Sequence, residues 1–353
     1  MKNFWEALPK PFFVLAPMAD VTDVSFRRMI AKCSAHVRGD GTVGGPDVMW
    51  TEFVSADGLI RATEEGKKKL MADLLYAEEE RPIVAQLFSS NPEYMEQAAQ
   101  LCFELGFDGI DINMGCPDKG IEKQGCGSAM IKNPENARAV IEAAKRGSNG
   151  LPVSVKTRLG YNKDELETWL PFLLAAEPAA ITLHARTRKE MSKVPARWER
   201  VARAVEIRNQ CQGDTLTKTL ILGNGDALSL EDAKEKAATS NADGVMLGRA
   251  IFGNPWLFHP EKDLSNVRLE ERFEAVLEHS KLFEELLPHK SFALMKKHYK
   301  AYINGFEGAS ELRNELMQRA SSEEVAECLA RFSSHTCVVQ KVQNCTCKFL
   351  PKA

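Results

Sequence analysis

The sequence predicts an α/β fold, a (β/α)8 TIM barrel followed by a smaller all-helical domain, on three observations. Short β-branched or apolar runs alternate with segments of helical period from the N-terminus to about residue 260. Eight such β-then-α units suit the usual size of a closed barrel, about 250 residues. No Gly-x-Gly-x-x-Gly follows the first run, which disfavours the doubly wound open sheet that the same alternation would accommodate.

The strand candidates are residues 12–17, 48–53, 82–88, 109–113, 153–159, 180–186, 220–225 and 244–250. Between them, helix starts are marked by residues whose short polar side chains accept from the free N–H groups of a first turn. Ser90-Asn91 precedes a helix over 92–105, Asn133 one over 134–146, and Ser229 one over 230–238; the first two carry Pro at their first position. After Phe258-His259-Pro260 the β pattern stops, and 268–283, 292–303 and 311–317 read as amphipathic helices. The expected division is therefore a barrel over 1–260 and a helical domain over 261–332. Residues 333–353 have lysines, no acidic residue and little periodicity, and read as a disordered tail.

Composition narrows the function classes. With 353 residues, 44% of them hydrophobic and 27% charged, the chain is a globular protein and not a disordered, collagenous or disulfide-scaffolded one. No apolar run approaches the roughly 18 to 20 residues needed to cross a bilayer. Residues 1–10 carry Glu6 and two lysines and do not read as a secretory signal, so the expected compartment is the cytoplasm. The 9 cysteines lack framework spacing and fit reduced thiols. His335, Cys337, Cys345 and Cys347 have a spacing that matches no common zinc finger, and no metal is expected. A net charge of −3 means that any nucleic-acid contact must be a local patch. One such patch is on the second helical segment of the small domain, where Lys290, Lys296, Lys297 and Lys300 lack acidic neighbours. Lys296, Lys300 and Asn304 share a helix face, with Tyr299 and Tyr302 nearby as base-stacking or packing groups. A solvated basic face is the alternative.

In a parallel barrel the chemistry is placed at the carboxyl ends of the strands. Here they carry Gln86, Asn113, Lys156, Arg158, His184, Arg186, Asn224, Asp226, Gly248 and Arg249. Such a ring of amide, cationic and imidazole groups is what an anionic cofactor with a hydrogen-bonding ring system requires. Gly223-Asn224-Gly225-Asp226 and Gly248-Arg249 end the seventh and eighth strands, where barrels commonly hold phosphate; tight turns would explain the same glycines. Lys156 and Arg158, two apart, face the same side of strand five. A lysine so placed suits the negative charge of a reduced flavin, or an acidic neighbour. Cys116, in Asn113-Met114-Gly115-Cys116-Pro117 just beyond strand four, has a catalytic address, though free cysteines are more often small buried hydrophobes. Cys126 in the same loop is its rival, and Cys33, Cys102 and Cys211 read as helix packing residues.

Several of these motifs together resemble the tRNA-dihydrouridine synthases, flavin enzymes that reduce the C5=C6 bond of particular uridines in tRNA. The resemblance covers both domains and rests on Ala16-Pro17-Met18-Ala19 with Thr22-Asp23 and Phe26-Arg27, on 111–117 with 125–130, and on Val155-Lys156-Thr157-Arg158-Leu159-Gly160. It continues through His184-Ala185-Arg186-Thr187, Asn224-Gly225-Asp226, Gly248-Arg249 and 298–313, in the family's order. The chain departs from the pattern at the 35–45 insertion, at Val194 where relatives usually have Gly, and in the cysteine-bearing tail.

The resemblance implies FMN held by Pro17, Met18, Ala19, Gln86, Lys156, His184, Asn224, Gly225, Asp226, Gly248 and Arg249. It makes Cys116 the acid and places Asn113, Lys156, Arg158 and Arg186 around a uracil flipped out of the RNA. It implies NADPH or NADH as reductant and tRNA as partner, gripped by the helical domain through Lys296, Lys297 and Lys300, with no obligate protein partner and no membrane. Two readings rival it. One is an FMN barrel acting on a small molecule, like dihydroorotate dehydrogenase or an enoate reductase, for which a helical domain with a lysine face has no purpose. The other is a tRNA-binding protein without turnover.

Overall fold

The computed structural model describes residues 3–213, 215, 217–262 and 264–346, with the side chains of 335–346 outside that description. Cα packing divides the chain into two compact units, Met1–Ile251 with Pro255–Lys262, and Phe252–Asn254 with Asp263–Ala353.

The first unit is the expected (β/α)8 barrel. Its strands are β1 (Phe12–Leu15), β2 (Met49–Trp50), β3 (Ile83–Phe88), β4 (Gly109–Asn113), β5 (Val153–Arg158), β6 (Ala180–His184), β7 (Leu220–Asn224) and β8 (Gly244–Leu247). All neighbours pair in parallel, and β8 pairs back onto β1 with Phe12 opposite Gly244. The ring closes between β1 and β2, where the Leu15 N–H donates to the Val48 carbonyl (3.1 Å) and the Asp47 N–H to the Phe13 carbonyl (2.9 Å). The ladders stop short of several expected strand ends, because the polar residues there turn into the loops of the carboxyl rim.

Inward-facing side chains fill the barrel. Phe12, Val14, Trp50, Val84, Leu222 and Met246 form one buried cluster, closed at the amino end by Trp5. The Trp5 ring lies 5.5 Å from that of Phe12 and 6.0 Å from that of Trp50. Each large apolar side chain removed from water in this way contributes about 1.5–3 kcal/mol. The three expected helix caps form. Asn91 accepts from the N–H groups of Glu93 and Tyr94, Asn133 from that of Asn136, and Ser229 from that of Asp232.

Three aspartates stitch the amino end by one repeated device. Asp47, Asp108 and Asp243 each precede a strand. Each donates its N–H to a neighbouring strand residue (Phe13, Ile83 and Ile221) and accepts that residue's N–H on its carboxylate, at 2.7, 2.8 and 2.8 Å. An arginine closes each one: Arg38, Arg81 and Arg208. The 35–45 insertion forms a hairpin of His36–Val37 with Val43–Gly44, whose two valines are 77% and 75% exposed.

The second unit is helical, with Leu269–Leu286, Lys296–Tyr302, Ala309–Leu316 and Ser322–Thr346 as its α-helices. Phe273, Phe306 and Phe332 meet edge to face at 5.9 Å centroid spacings. Tyr299 and Tyr302 are fully buried, and the Tyr299 hydroxyl is 2.9 Å from that of Ser280. Of their two expected roles, packing is the one they have; base stacking is excluded by burial. The backbone of the last helix extends to Thr346. Residues 347–353 of the expected disordered tail, and the side chains of His335, Cys337 and Cys345, lie outside the described residues. No helix among the described residues is long and apolar enough to cross a membrane.

Candidate active site

The strand ends bring most of the expected residues to one rim of the barrel. β5 and β7 place Lys156 and Asn224 together, the Lys156 Nζ donating to the Asn224 Oδ1 at 3.3 Å while the Asn224 amide donates to the Met246 carbonyl at 2.8 Å. Lys156 makes no ion pair among the described residues. Burial pushes the pKa of its ammonium down to about 8, with Arg158 adding repulsion against the pull of Asp111 and Cys116. Arg158 is itself buried beneath the loops, where its Nε donates to the Gly115 carbonyl (2.7 Å) and its Nη1 to the carbonyls of Thr187 (3.3 Å) and Met191 (3.4 Å). It therefore fastens the Cys116 loop to the loop after β6.

His184 ends β6 among cations. Burial, then Arg158, Lys156, Arg186 and Arg249, hold its pKa far below the ordinary imidazole value, so the ring is neutral. Its Nε2 lies 3.2 Å from the Arg186 guanidinium, which can only donate, so Nε2 accepts and the ring proton is on Nδ1. Asp226 is held between Arg186 and Arg249 and also accepts from the Ala196 N–H at 2.8 Å. Burial alone would raise its pKa; the Arg186 and Ala196 donors, with Arg249, hold it below the ordinary carboxylate value. The Arg249 side chain is 62% exposed and reaches towards solvent from this anchor.

Two glycines differ in what they require. Gly225 has φ +121°, and a Cβ there would meet the Ala196 Cβ at 2.9 Å and the His184 ring at 3.2 Å, so the fold itself demands glycine. At Gly248 a Cβ would find only ordinary contacts, with Ala16 and Met18 at 3.6 Å. Nothing within the chain requires glycine there. Pro17 and Met18, half-buried, and exposed Ala19 form the loop after β1, where the Met18 N–H donates to the Thr22 hydroxyl at 2.8 Å.

Cys116 lies beyond β4 in a loop held at both faces. Its N–H and that of Gly115 donate to the Asn113 Oδ1 at 2.9 and 3.1 Å, and its carbonyl accepts from the N–H and hydroxyl of Ser128, each at 2.9 Å. The thiol is half-buried against Phe53, Phe88, Ile121 and Cys126. Burial pushes its pKa up and outweighs the Asp118 N–H, Lys156 and Arg158, which pull it down, so at neutral pH it carries its proton. Cys126 is 2% exposed and turns its sulfur to the Gln124 carbonyl. Of the two cysteines in the loop, only Cys116 is open to the rim. Cys102 is buried as expected for a packing residue, whereas Cys211 is exposed.

Residues 14–340 match the family described as Dihydrouridine synthase (Dus). The chain belongs to that family. It is 41% identical over 337 residues to the probable tRNA-dihydrouridine synthase 2 of Bacillus subtilis (strain 168), a match covering 94% of this chain and 97% of that one. The probable tRNA-dihydrouridine synthase of Staphylococcus epidermidis is 38% identical over 336 residues, covering 94% and 97%. Among solved structures, morphinone reductase superposes with a TM-score of 0.48 at 14% identity, over 71% of this chain and 84% of that one.

Some site features of this family member escape a reading of strand ends. Asp111, fully buried inside β4, accepts from the Gln86 amide and the Ser154 hydroxyl, both at 2.6 Å. Burial raises its pKa to about 6 against those two hydrogen bonds and Lys156. Its signal was visible: an acidic residue two positions before Asn113 faces the same side of the strand. The Arg188–Glu122 ion pair is another, tying the loop after β6 to the Cys116 loop. Tyr161, from the loop after β5, is flanked by Lys132 at 4.3 Å and Arg188 at 5.4 Å from its ring centroid.

Proposed function

We propose that this chain is a tRNA-dihydrouridine synthase that reduces the C5=C6 bond of specific uridines in tRNA, using FMN at the barrel rim, NADPH or NADH as reductant and Cys116 as the acid. One observation carries the reading. A protonated thiol, fixed by an amide from the adjacent strand, shares a rim with cations that have too few carboxylates to neutralise them.

The residues present suit a flavin nucleotide. Arg249, anchored by Asp226, and the bare backbone at Gly248 suit a terminal phosphate, as does the cationic surround of His184. Lys156 makes no ion pair among the described residues, and burial outweighs the pull of nearby Asp111, so its pKa stays lowered; a reduced flavin ring would bring further negative charge to it. Pro17, Met18, Ala19, Gln86, Asn224 and Gly225 complete the expected cradle, with Asp226 acting through the two arginines it holds. FMN, when bound and reduced, supplies the hydride that goes to C6 of the uracil.

The chain's own groups do the rest. Donors at Lys156 and Asn113 stabilise negative charge on the ring oxygen as it develops. Cys116 gives its proton to C5, so hydride and proton together saturate the bond, and the thiolate recovers a proton from solvent at the half-open rim. Arg186, buried and donating to the Val194 carbonyl at 2.6 Å, to His184 and to Asp226, would support the uracil site from beneath, and Arg158 keeps the loops that frame it in register. Lys296, Lys297 and Lys300 of the helical unit offer phosphate contacts to the tRNA body. Free cysteines at Cys33, Cys102, Cys116, Cys126, Cys211 and Cys328 accord with a cytoplasmic protein.

The test is purified protein with NADPH and tRNA lacking dihydrouridine, read by nucleoside mass. Product heavier than uridine by two hydrogens supports the reading. A protein whose flavin is reduced by NADPH but turns over only small enones or dihydropyrimidines would replace it with the small-molecule alternative.

A further inference from the structure

The polar groups under the Cys116 loop form a chain whose direction is fixed at both ends. At one end are two backbone N–H groups, Gly115 and Cys116, which can only donate; both go to the Asn113 Oδ1, at 3.1 and 2.9 Å. The Asn113 amide nitrogen must then donate onward, and it reaches the Gln86 Oε1 at 3.2 Å. The Gln86 nitrogen in turn donates to the Asp111 Oδ2 at 2.6 Å, and the second Asp111 oxygen accepts from the Ser154 hydroxyl at 2.6 Å. An amide can face either way, so Gln86 and Asn113 have no direction of their own. A carboxylate, acceptor only, supplies it.

We infer that Asp111 is a positioning residue: by accepting from Gln86 it orients the two amides in series and so holds Asn113 in the one orientation that anchors the Cys116 backbone. This rests on the reading of Cys116 as the acid and adds a residue that touches neither tRNA nor cofactor. Its distinguishing consequence is a coupling between Asp111 and Asn113, whose hydrogen bonds meet at the intervening Gln86.

The experiment is a double-mutant cycle in the purified full-length protein at pH 8, above the value of about 6 to which burial raises the Asp111 carboxyl. D111N is tolerated, because its amide can present oxygen to Gln86 and nitrogen to the Ser154 hydroxyl, which can turn to accept. N113D leaves one acceptor facing another somewhere along the chain, a buried mismatch expected to change the alkylation rate of Cys116 by iodoacetamide about tenfold and to lower the thermal midpoint. Combining the two reverses Gln86. The new amide at position 111 donates to its oxygen, and its nitrogen donates to the new carboxylate at position 113, which still accepts from Gly115 and Cys116. D111N/N113D is therefore expected to recover both readouts towards wild type. Additive effects, or a Cys116 alkylation rate that none of the three variants moves, would overturn the inference. Failure of the underlying reading shows separately, as wild-type protein that forms no dihydrouridine in tRNA.

Discussion

The two ends of the barrel are built from the same residue types and used differently. At the amino end, Asp47, Asp108 and Asp243 each bind a strand N–H and an arginine, so every charge meets its opposite and the strands are stitched at their starts. At the carboxyl end, Lys156, Arg158, Arg186 and Arg249 crowd round a neutral His184, and Asp226 is shared by two of them. The first arrangement satisfies the fold. The second leaves four cations sharing Asp226 and buried Asp111 beside the Cys116 loop.

The difference between the ends is most open to test at Cys116. Cys116→Ala is expected to keep reduction of the flavin by NADPH while lowering dihydrouridine formation by about 10²–10⁴-fold, the range typical of a lost general acid. Stopped-flow absorbance follows the first and nucleoside mass the second. If the variant turns tRNA over at the wild-type rate, the carboxyl end is not organised round this thiol. At the opposite end, Asp243→Asn should leave catalysis by the folded protein unchanged. It should cost about 3 kcal/mol of stability, because Arg208 is left buried without its partner. Denaturant unfolding measures this, and a loss of turnover without loss of stability would erase the distinction between the ends.

A smaller effect concerns Lys156. In flavin-free protein its ammonium has a folded pKa of about 8, below its ordinary value of 10.5. Below pH 8 both folded and unfolded chains hold the proton and the burial penalty is constant. As pH rises from about 8 towards 10.5 the folded chain releases the proton first, so this group's contribution to stability increases with pH. The thermal midpoint of wild type minus that of Lys156→Met is expected to rise across that window. A flat difference would mean that burial does not hold the lysine's pKa down.

Much of this was legible in the sequence, for local reasons. Strands read from period and residue type, and the caps at Asn91, Asn133 and Ser229 follow from side-chain chemistry that acts within a few residues. Parallel topology then brings Gln86, Asn113, Lys156, His184, Asn224 and Arg249 to one rim, because strand ends are fixed by direction. What escaped depends on contacts far apart in the chain. A helix of one or two turns does not disclose which face is covered, so Tyr299 and Tyr302 could be read as stacking groups although both are buried. An Asp before a strand reads as a turn, so the stitching by Asp47, Asp108 and Asp243 has no local signature. Asp111 announces itself as an acidic residue in an apolar strand, but its part in orienting two amides emerges only when Gln86 and Ser154 are placed beside it.

On the function proposed above, the carboxyl end of the barrel delivers hydride and proton to a uracil in tRNA. The most direct measurement is anaerobic: reduce the protein-bound flavin with one equivalent of NADPH, remove excess nucleotide, and add tRNA that lacks dihydrouridine. Reoxidation of the flavin with formation of one dihydrouridine per flavin is the expected result. A flavin that stays reduced in the presence of tRNA and is reoxidised by a small unsaturated carbonyl compound would contradict it.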